Sequence, residues 1–415
     1  MMEKLYKLNY YFLLLILGTF IFPSISGLPL TPSAAFYAPI WLLMLVLTNT
    51  KIIFSKGFFV GYIFFIFHFF YISFDFYPSD RDNTRYMLDE VIPILFSFSL
   101  LEYFQNTKRF QDLRKTTNLL FIGTLITTAT SGLMLIKYPD AARLLAGALV
   151  DNESLSNYYT LIGIAGFYFY IYLALLAPLF VLIILKTENK KIKFIFYGIY
   201  FATFLTVLIS QYAASISLFV ITTLLTYLYL RVKTVPVYFI FLITAIFLFF
   251  NKQIISNTII DFSNYINLEN LSPRLKNIAF LIEGNESNQS IEDLRYKEDY
   301  DDLKNISLNS FDENVLTGGG KIGDHVFWYD VLGNYGILGL IPWIVFFTYT
   351  FRTRIRLFNN EFKGVFVIIF FSLIFIGFHK PIRAFLILPY ITFVIPALIL
   401  KTQKWSLNNK SFLKS

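Results

Sequence analysis

The residues best suited to chemistry follow a run of three glycines late in the chain. Gly318, Gly319 and Gly320 permit close backbone approach, and successive amides in such a turn can form an anion-binding nest. Lys321 adds positive charge, and His325, a residue that titrates near neutral pH, follows Asp324 at the mouth of an apolar run. The alternative is a flexible turn leading into an ordinary helix, with a solvated histidine. A nucleotide P-loop is excluded because the GxxxxGK[ST] pattern is absent.

Other cations also stand at the mouths of apolar runs. Arg143 lies in the connection YPDAARLLAG, Arg274 in the tripeptide SPR, and Lys380 and Arg383 in the short turn HKPIR. A guanidinium grips a phosphate with a planar fork, which suits a lipid-diphosphate ligand. For Arg143 the alternative is a side chain that snorkels at the membrane interface. His68, inside the aromatic run FIFHFFY, is expected to be a packed, hydrogen-bonded histidine.

The composition identifies the environment in which these cations act. The 415 residues are 56% hydrophobic and only 15% charged, with a mean hydropathy of +0.60, and the apolar residues occur in long runs. The net charge of +8 lies in short clusters between those runs, which indicates membrane topology rather than nucleic-acid binding. The absence of cysteine excludes disulfides, thiolate metal sites and cysteine nucleophiles.

The apolar runs predict an all-α polytopic membrane protein of about twelve helices, a single integral domain over 1–415. Most of the 35 basic residues fall in short connections on one side, which predicts a multi-pass plasma-membrane protein with both termini cytoplasmic. The expected spans are 10–28, 33–49, 57–77, 91–104, 116–137, 158–185, 194–210, 212–230, 235–250, 326–350, 363–378 and 384–400.

A long loop, 251–324, is predicted on the external side between the ninth and tenth spans. Its middle, 283–302, is acidic and rich in Asn and Ser, which is typical of mobile surface. Its first part, 259–282, has apolar residues at helical spacing, and its last part, 314–324, is glycine-rich. We therefore expect the two ends of the loop to be the working parts.

The layout and these motifs resemble the O-antigen polymerase/ligase superfamily of bacterial envelope glycosyltransferases. The likeness covers about twelve spans, internal termini and a large late external loop. More specific are the glycine turn, then His325, then the helix VLGNYGILGL; Arg143-x3-Gly147 in an earlier loop; and Arg274 opening the large loop. Many members carry a Ser-Arg pair at a mid-chain helix start, where this chain reads SQYAAS (210–215). The set of phosphate-binding arginines is therefore incomplete unless Arg143 or Arg383 supplies the missing one.

The resemblance implies a GT-C-like fold and a polymerase that joins undecaprenyl-diphosphate-linked oligosaccharide repeat units, for O-antigen, capsule or exopolysaccharide. It implies diphosphate binding by Arg143 and Arg274, with Lys321 and Arg383 as weaker candidates, and an acceptor-orienting or basic role for His325. No cofactor, metal or nucleic acid is expected, whereas a chain-length regulator and a flippase are possible partners. The alternatives are an O-antigen ligase that acts on lipid A core, a polysaccharide transporter or flippase, and a metal-dependent transferase using Asp324 and His325.

Overall fold

The fold is given by a computed structural model of the chain. The structure describes residues 2–26, 34–73, 91–106, 109–139, 141–143, 145, 153–232, 252–266, 272, 275–276, 279, 302, 304–320, 326–378 and 384–412. Within these residues the backbone is almost entirely helical, and they contain no β-strand. The expectation of an all-α protein is confirmed for this part of the chain.

The helices follow the apolar runs of the sequence because each run satisfies its own backbone hydrogen bonds when it is helical. Their bounds are α1 Met2–Ile21, α2 Pro23–Ser26, α3 Ala34–Thr48, α4 Lys56–Ser73, α5 Ile92–Asn106, α6 Phe110–Lys137, α7 Ala141–Arg143, α8 Glu153–Leu161, α9 Phe167–Lys186, α10 Lys190–Ile209, α11 Ala213–Arg231, α12 Lys252–Ile266, α13 Phe327–Ile355, α14 Asn360–Ile376, α15 Ala384–Pro389 and α16 Ile395–Phe412. A 3-10 helix, Thr50–Phe54, joins α3 to α4, and a π-helix, Tyr390–Val394, joins α15 to α16.

Five of these helices are long and apolar enough to cross a membrane. They are Phe110–Lys137, Phe167–Lys186, Lys190–Ile209, Ala214–Arg231 and Phe327–Ile355. Shorter apolar helices occupy the positions of four further predicted spans: Tyr37–Thr48, Lys56–Tyr71, Ile92–Phe104 and Ile387–Gln403. The predicted ninth span, 235–250, lies outside the described residues. These findings fit an all-α membrane protein.

Helix α9 occupies the centre of the bundle. Its side chains are buried on every face from Phe169 to Ile184, as expected for a helix that is hydrophobic all round. It packs against α10, α11 and α14. Because Lys186 at its end pairs with Glu361 at the start of α14 (2.5 Å between Nζ and Oε1), α9 and α14 run antiparallel.

The predicted span 158–185 is wrong as a single helix. The chain forms α8, leaves the helix at 162–166, and resumes as α9. Ser131 of α6 holds this break, since its hydroxyl donates to the Gly163 carbonyl (3.0 Å) and accepts from the Ala165 amide (3.1 Å). A side chain from a neighbouring helix thus replaces the hydrogen bonds that a continuous helix would have made.

The predicted span 326–350 corresponds to α13, which is not straight because it is broken at Gly336 (φ 62°, ψ −160°). In a straight helix the sixteen positions from Phe327 to Trp343 would span about 24 Å. Their rings instead lie 4.8 Å apart, and the Trp328 and Phe347 rings lie 5.7 Å apart. The short arm, 327–335, therefore folds back on the long arm, 337–355, in a V whose vertex is Gly336.

Candidate functional site at the long-loop end

The described contacts define two ends of the bundle. At the first end α6 terminates beside the start of α9, and Trp328 of the short arm donates its amide to Gly377, just beyond α14 (3.2 Å). We call it the long-loop end, because residues 304–320 pack there. The opposite end, where α6 and α14 begin and α13 terminates, is called the basic end.

The glycine turn, residues 317–320, packs against the V by exchanging backbone hydrogen bonds with it. The amides of Gly319 and Gly320 donate to the Gly333 carbonyl (3.1 and 3.2 Å). In return, the amides of Ile337 and Leu338 donate to the carbonyls of residues 315 and 316 (3.0 and 3.1 Å). The loop thus supplies the partners that the break at Gly336 removes from α13.

In the structure the three amides of residues 318–320, which the sequence predicts as an anion-binding nest, all donate to carbonyl groups. The Gly318 amide donates to Asn314 (2.7 Å), and the other two donate to Gly333. The glycines serve close packing instead: a Cβ on Gly318 (φ +73°) would lie 2.6 Å from the Asn334 carbonyl carbon, and one on Gly336 would collide with the backbone of Leu316. The two glycine motifs, TGGG and GNYG, are the two sides of one contact.

Tyr71 of α4 ties this contact to the rest of the bundle. Its buried hydroxyl lies within hydrogen-bonding reach of the Thr317 carbonyl (2.9 Å) and the Tyr335 carbonyl, one on the glycine turn and one on the short arm. Its ring packs against Phe67 and Tyr335, with centroid separations of 4.7 and 5.5 Å. A single side chain therefore holds the turn and the vertex together, a role that the sequence analysis missed.

Asp330 stabilises the beginning of the short arm. One carboxylate oxygen accepts from the Val326 amide (3.1 Å), and the other accepts from the Ser307 hydroxyl (2.7 Å). A carboxylate at a helix N-terminus satisfies an amide that has no partner within the helix and interacts favourably with the helix dipole. These contacts explain Asp330 as a structural residue that also anchors the helical segment 304–313.

A second contact at the same end involves the stretch SQYAAS. The Tyr212 hydroxyl donates to the Ala142 carbonyl, and the Gln211 amide group donates to the Pro139 carbonyl (3.5 Å). Gln211 makes the turn between α10 and α11 with a positive φ of 60°. The structure therefore brings the 210–215 stretch against the connection that carries Arg143, two segments about seventy residues apart in sequence.

Several candidate side chains lie outside the described residues. They are Arg274, Lys321, Asp324, His325, Lys380 and Arg383, together with the side chain of Arg143, whose backbone closes α7. The structure describes residues directly adjacent to four of them: Leu275, Gly320, Val326 and Ala384. His68 is buried in α4, in agreement with the prediction of a packed histidine.

A buried arginine and a half-buried glutamate at the basic end were not identified from the sequence. Arg354, only 5% exposed near the end of α13, donates its Nε to the Thr392 carbonyl (2.7 Å) in the π-helix, while its Nη2 has no hydrogen-bond partner among the described residues. Glu102 of α5 is a carboxylate that interacts electrostatically with Arg354. In the sequence Arg354 stands between Arg352 and Arg356 in a basic connection, and nothing in that pattern distinguishes it from its exposed neighbours.

Comparison of the chain with protein-family models, with curated proteins and with solved structures returned no match.

Proposed function

We propose that this chain is a membrane glycosyltransferase that polymerises undecaprenyl-diphosphate-linked oligosaccharide repeat units at the external face of the plasma membrane. The proposal includes about twelve spans, a GT-C-like arrangement and cytoplasmic termini. A ligase that transfers finished glycan to lipid A core shares the same chemistry and is the nearest alternative.

The observation that carries the proposal is the contact between the 210–215 turn and the connection before Arg143. Superfamily members place a Ser-Arg pair at the corresponding mid-chain position, and this chain lacks that arginine. Tyr212 hydrogen-bonds Ala142, the residue before Arg143, so the 210–215 turn and this connection are in contact. The contact supports the proposal that Arg143 takes the role of the missing arginine.

The proposed reaction needs charge stabilisation more than covalent chemistry. The acceptor hydroxyl attacks the anomeric carbon of the growing glycan, a new glycosidic C–O bond forms, and the bond from that carbon to the diphosphate oxygen breaks. The lipid diphosphate leaves with the bonding electron pair, and Arg143 and Arg274 stabilise its charge, assisted by Lys321 and Arg383. His325 accepts the proton of the acceptor hydroxyl. The glycines 318–320 contribute by holding the turn against the short arm of α13.

Deletion of the gene, with complementation by point variants, tests the proposal. Loss of a polymerase leaves surface products of a single repeat, whereas loss of a ligase leaves long chains attached to the carrier lipid. We expect His325→Ala and Arg143→Ala to reproduce the single-repeat products while inserting normally into the membrane. Arg231→Ala, an exposed arginine at the basic end, is the matched control and is expected to restore full-length polymer. Full-length polymer from both site variants would refute the assignments, and retention of activity in EDTA would exclude a metal-dependent mechanism.

One observation favours a transporter or flippase as a second candidate. Broken helices and unpaired backbone groups near a substrate path are common in transporters, and α13 is broken at Gly336. Here, however, the amides that the break leaves without helical partners donate to the loop carbonyls of residues 315 and 316. A flippase defect would leave repeat units on the cytoplasmic leaflet and no single-repeat surface product, so the deletion strain distinguishes the two functions.

A further inference from the structure

Helix α12, at the start of the long loop, has three chemically distinct sides. The side that faces the protein carries Ser256 and Ser263, both fully buried, and partly buried Ile259 packs against the core. Ser263 and Ser272 exchange hydrogen bonds between hydroxyl and carbonyl (2.8 and 2.9 Å), which fixes the helix against the chain that follows it. The protein-facing side of α12 thus combines these polar contacts with three half-buried isoleucines, Ile255, Ile259 and Ile260.

The exposed surface of α12 divides into one polar and one apolar stripe. At about 100° per residue, the polar residues fall within an arc of about 80°; they are Gln253, Asn257, Asp261 and Asn264. The apolar stripe fills an arc of similar width, centred about 100° further round. Its members are Ile254, Thr258, Phe262 and Tyr265, and the first, third and fourth are 66%, 40% and 90% exposed.

Thr258 fits the apolar stripe because its hydroxyl is already satisfied. It donates to the Ile254 carbonyl one turn earlier (2.8 Å), so it presents its methyl group outward. A helix in water has no reason to separate its exposed residues into two such stripes, or to expose Tyr265 and Ile254 while burying two serines. A helix at the boundary between lipid and water has that reason.

We propose that α12 lies in the plane of the membrane surface, docked to the protein by its serine side. Its apolar stripe inserts among phospholipid acyl chains, and its polar stripe faces water. The lipid surface is the occupant that the observations favour, since the chain carries five helices able to cross a membrane and the sequence predicts a span that ends at residue 250. The stripe is uncharged and ends in a tyrosine, the residue type that prefers the headgroup level.

This anchor is independent of the proposed glycosyl transfer, but it has a consequence for it. Ser272, which α12 holds through Ser263, lies two residues before Arg274 in the chain. The anchor would keep this part of the loop at the depth where a lipid diphosphate presents its phosphates.

Site-directed spin labelling tests the anchor directly, because the chain contains no cysteine and every introduced thiol is unique. Single cysteines would be placed on the apolar stripe (Ile254→Cys, Phe262→Cys, Tyr265→Cys) and on the polar stripe (Gln253→Cys, Asn257→Cys, Asn264→Cys). All six positions are exposed, so the substitutions leave the core intact. The labelled protein is reconstituted into phosphatidylcholine–phosphatidylglycerol vesicles, and collision rates with oxygen and with a water-soluble nickel chelate are measured. Ile126→Cys, an exposed apolar position within α6, and Glu188→Cys, in the exposed turn after α9, are the lipid and water references.

We expect the oxygen-to-nickel ratio on the apolar stripe to match Ile126→Cys and to exceed that of the polar stripe several-fold. Equal ratios at all six positions, close to Glu188→Cys, would overturn the proposal and place α12 in water. Immobilised labels that neither reagent reaches on the apolar stripe would also overturn it and would identify a protein partner instead. The experiment needs no enzymatic activity, so its result is independent of the proposed function.

Discussion

The two ends of α13 are held by opposite means. At the long-loop end the vertex of α13 is joined to residues 315–320 mainly by backbone hydrogen bonds, through the carbonyl of Gly333 and the amides of Ile337 and Leu338, with no charged side chain in that exchange. At the basic end, Arg354 reaches a π-helix carbonyl and is balanced by Glu102. A contact built from backbone requires the absence of side chains, whereas a contact built from charges depends on which side chains are present. We therefore expect an added side chain to destabilise the long-loop end and the removal of a charge to destabilise the basic end.

The largest effect is expected from Gly336→Ala. The new Cβ collides with Leu316, and the residue must keep a positive φ, so we expect a loss of about 3 kcal/mol or more of unfolding free energy. Unfolding by SDS titration in mixed micelles measures it. Gly198→Ala, where a Cβ meets nothing in α10, is the control and is expected to be neutral or slightly stabilising. If the two variants were equally stable, the vertex would not be fixed by the glycine turn.

The next effect is expected at the basic end from Arg354→Met. The substitution removes the bond to Thr392 and leaves Glu102 without its counter-charge. We expect the free energy of unfolding to fall by about 2–3 kcal/mol, which is less than for a fully buried ion pair because Glu102 is partly exposed. The double variant Arg354→Met/Glu102→Gln should recover about 1 kcal/mol or more of it, because the uncompensated charge is gone. Exposed Arg352→Met is the control. Strict additivity of the single variants would show that the two charges act separately.

The smallest effect is expected from Tyr71→Phe, which returns to the long-loop end. The ring and its packing remain, and only the hydroxyl between the turn and the short arm is lost, so we expect about 1 kcal/mol. Tyr11→Phe, on an exposed tyrosine of α1, should leave the unfolding free energy unchanged. A loss confined to Tyr71→Phe would show that a side chain reinforces a contact otherwise made by backbone; no difference between the variants would assign the contact to backbone alone.

The sequence predicted helices well wherever long apolar runs determine them. The bounds of α3, α10 and α11 differ from those of their predicted spans by a few residues at most. A long apolar run in a membrane must be helical to satisfy its backbone hydrogen bonds. The breaks were missed for the opposite reason. Hydropathy averages over a window, and the single residue Gly336 changes the direction of α13 without changing its hydropathy.

The site was predicted less completely than the helices. The sequence singles out the two ends of the loop and predicts that the glycine amides bind an anion. In the structure the amides of Gly319 and Gly320 donate to Gly333, fourteen residues beyond Gly319, and no local sequence pattern reveals a partner at that separation. The same limitation hid the pairing of Tyr212 with Ala142.

The reciprocal bonds between residues 315–320 and 333–338 also set a rule for insertions. They pair two segments in a fixed register, as in a β-ladder, so one extra residue on either side would shift every donor away from its acceptor. Natural variants of this chain should therefore keep the spacing from Gly318 to Gly336 unchanged while the acidic stretch 283–302 varies in length. The constant spacing between the two glycines would then allow related chains to be aligned at this contact even where their other residues differ.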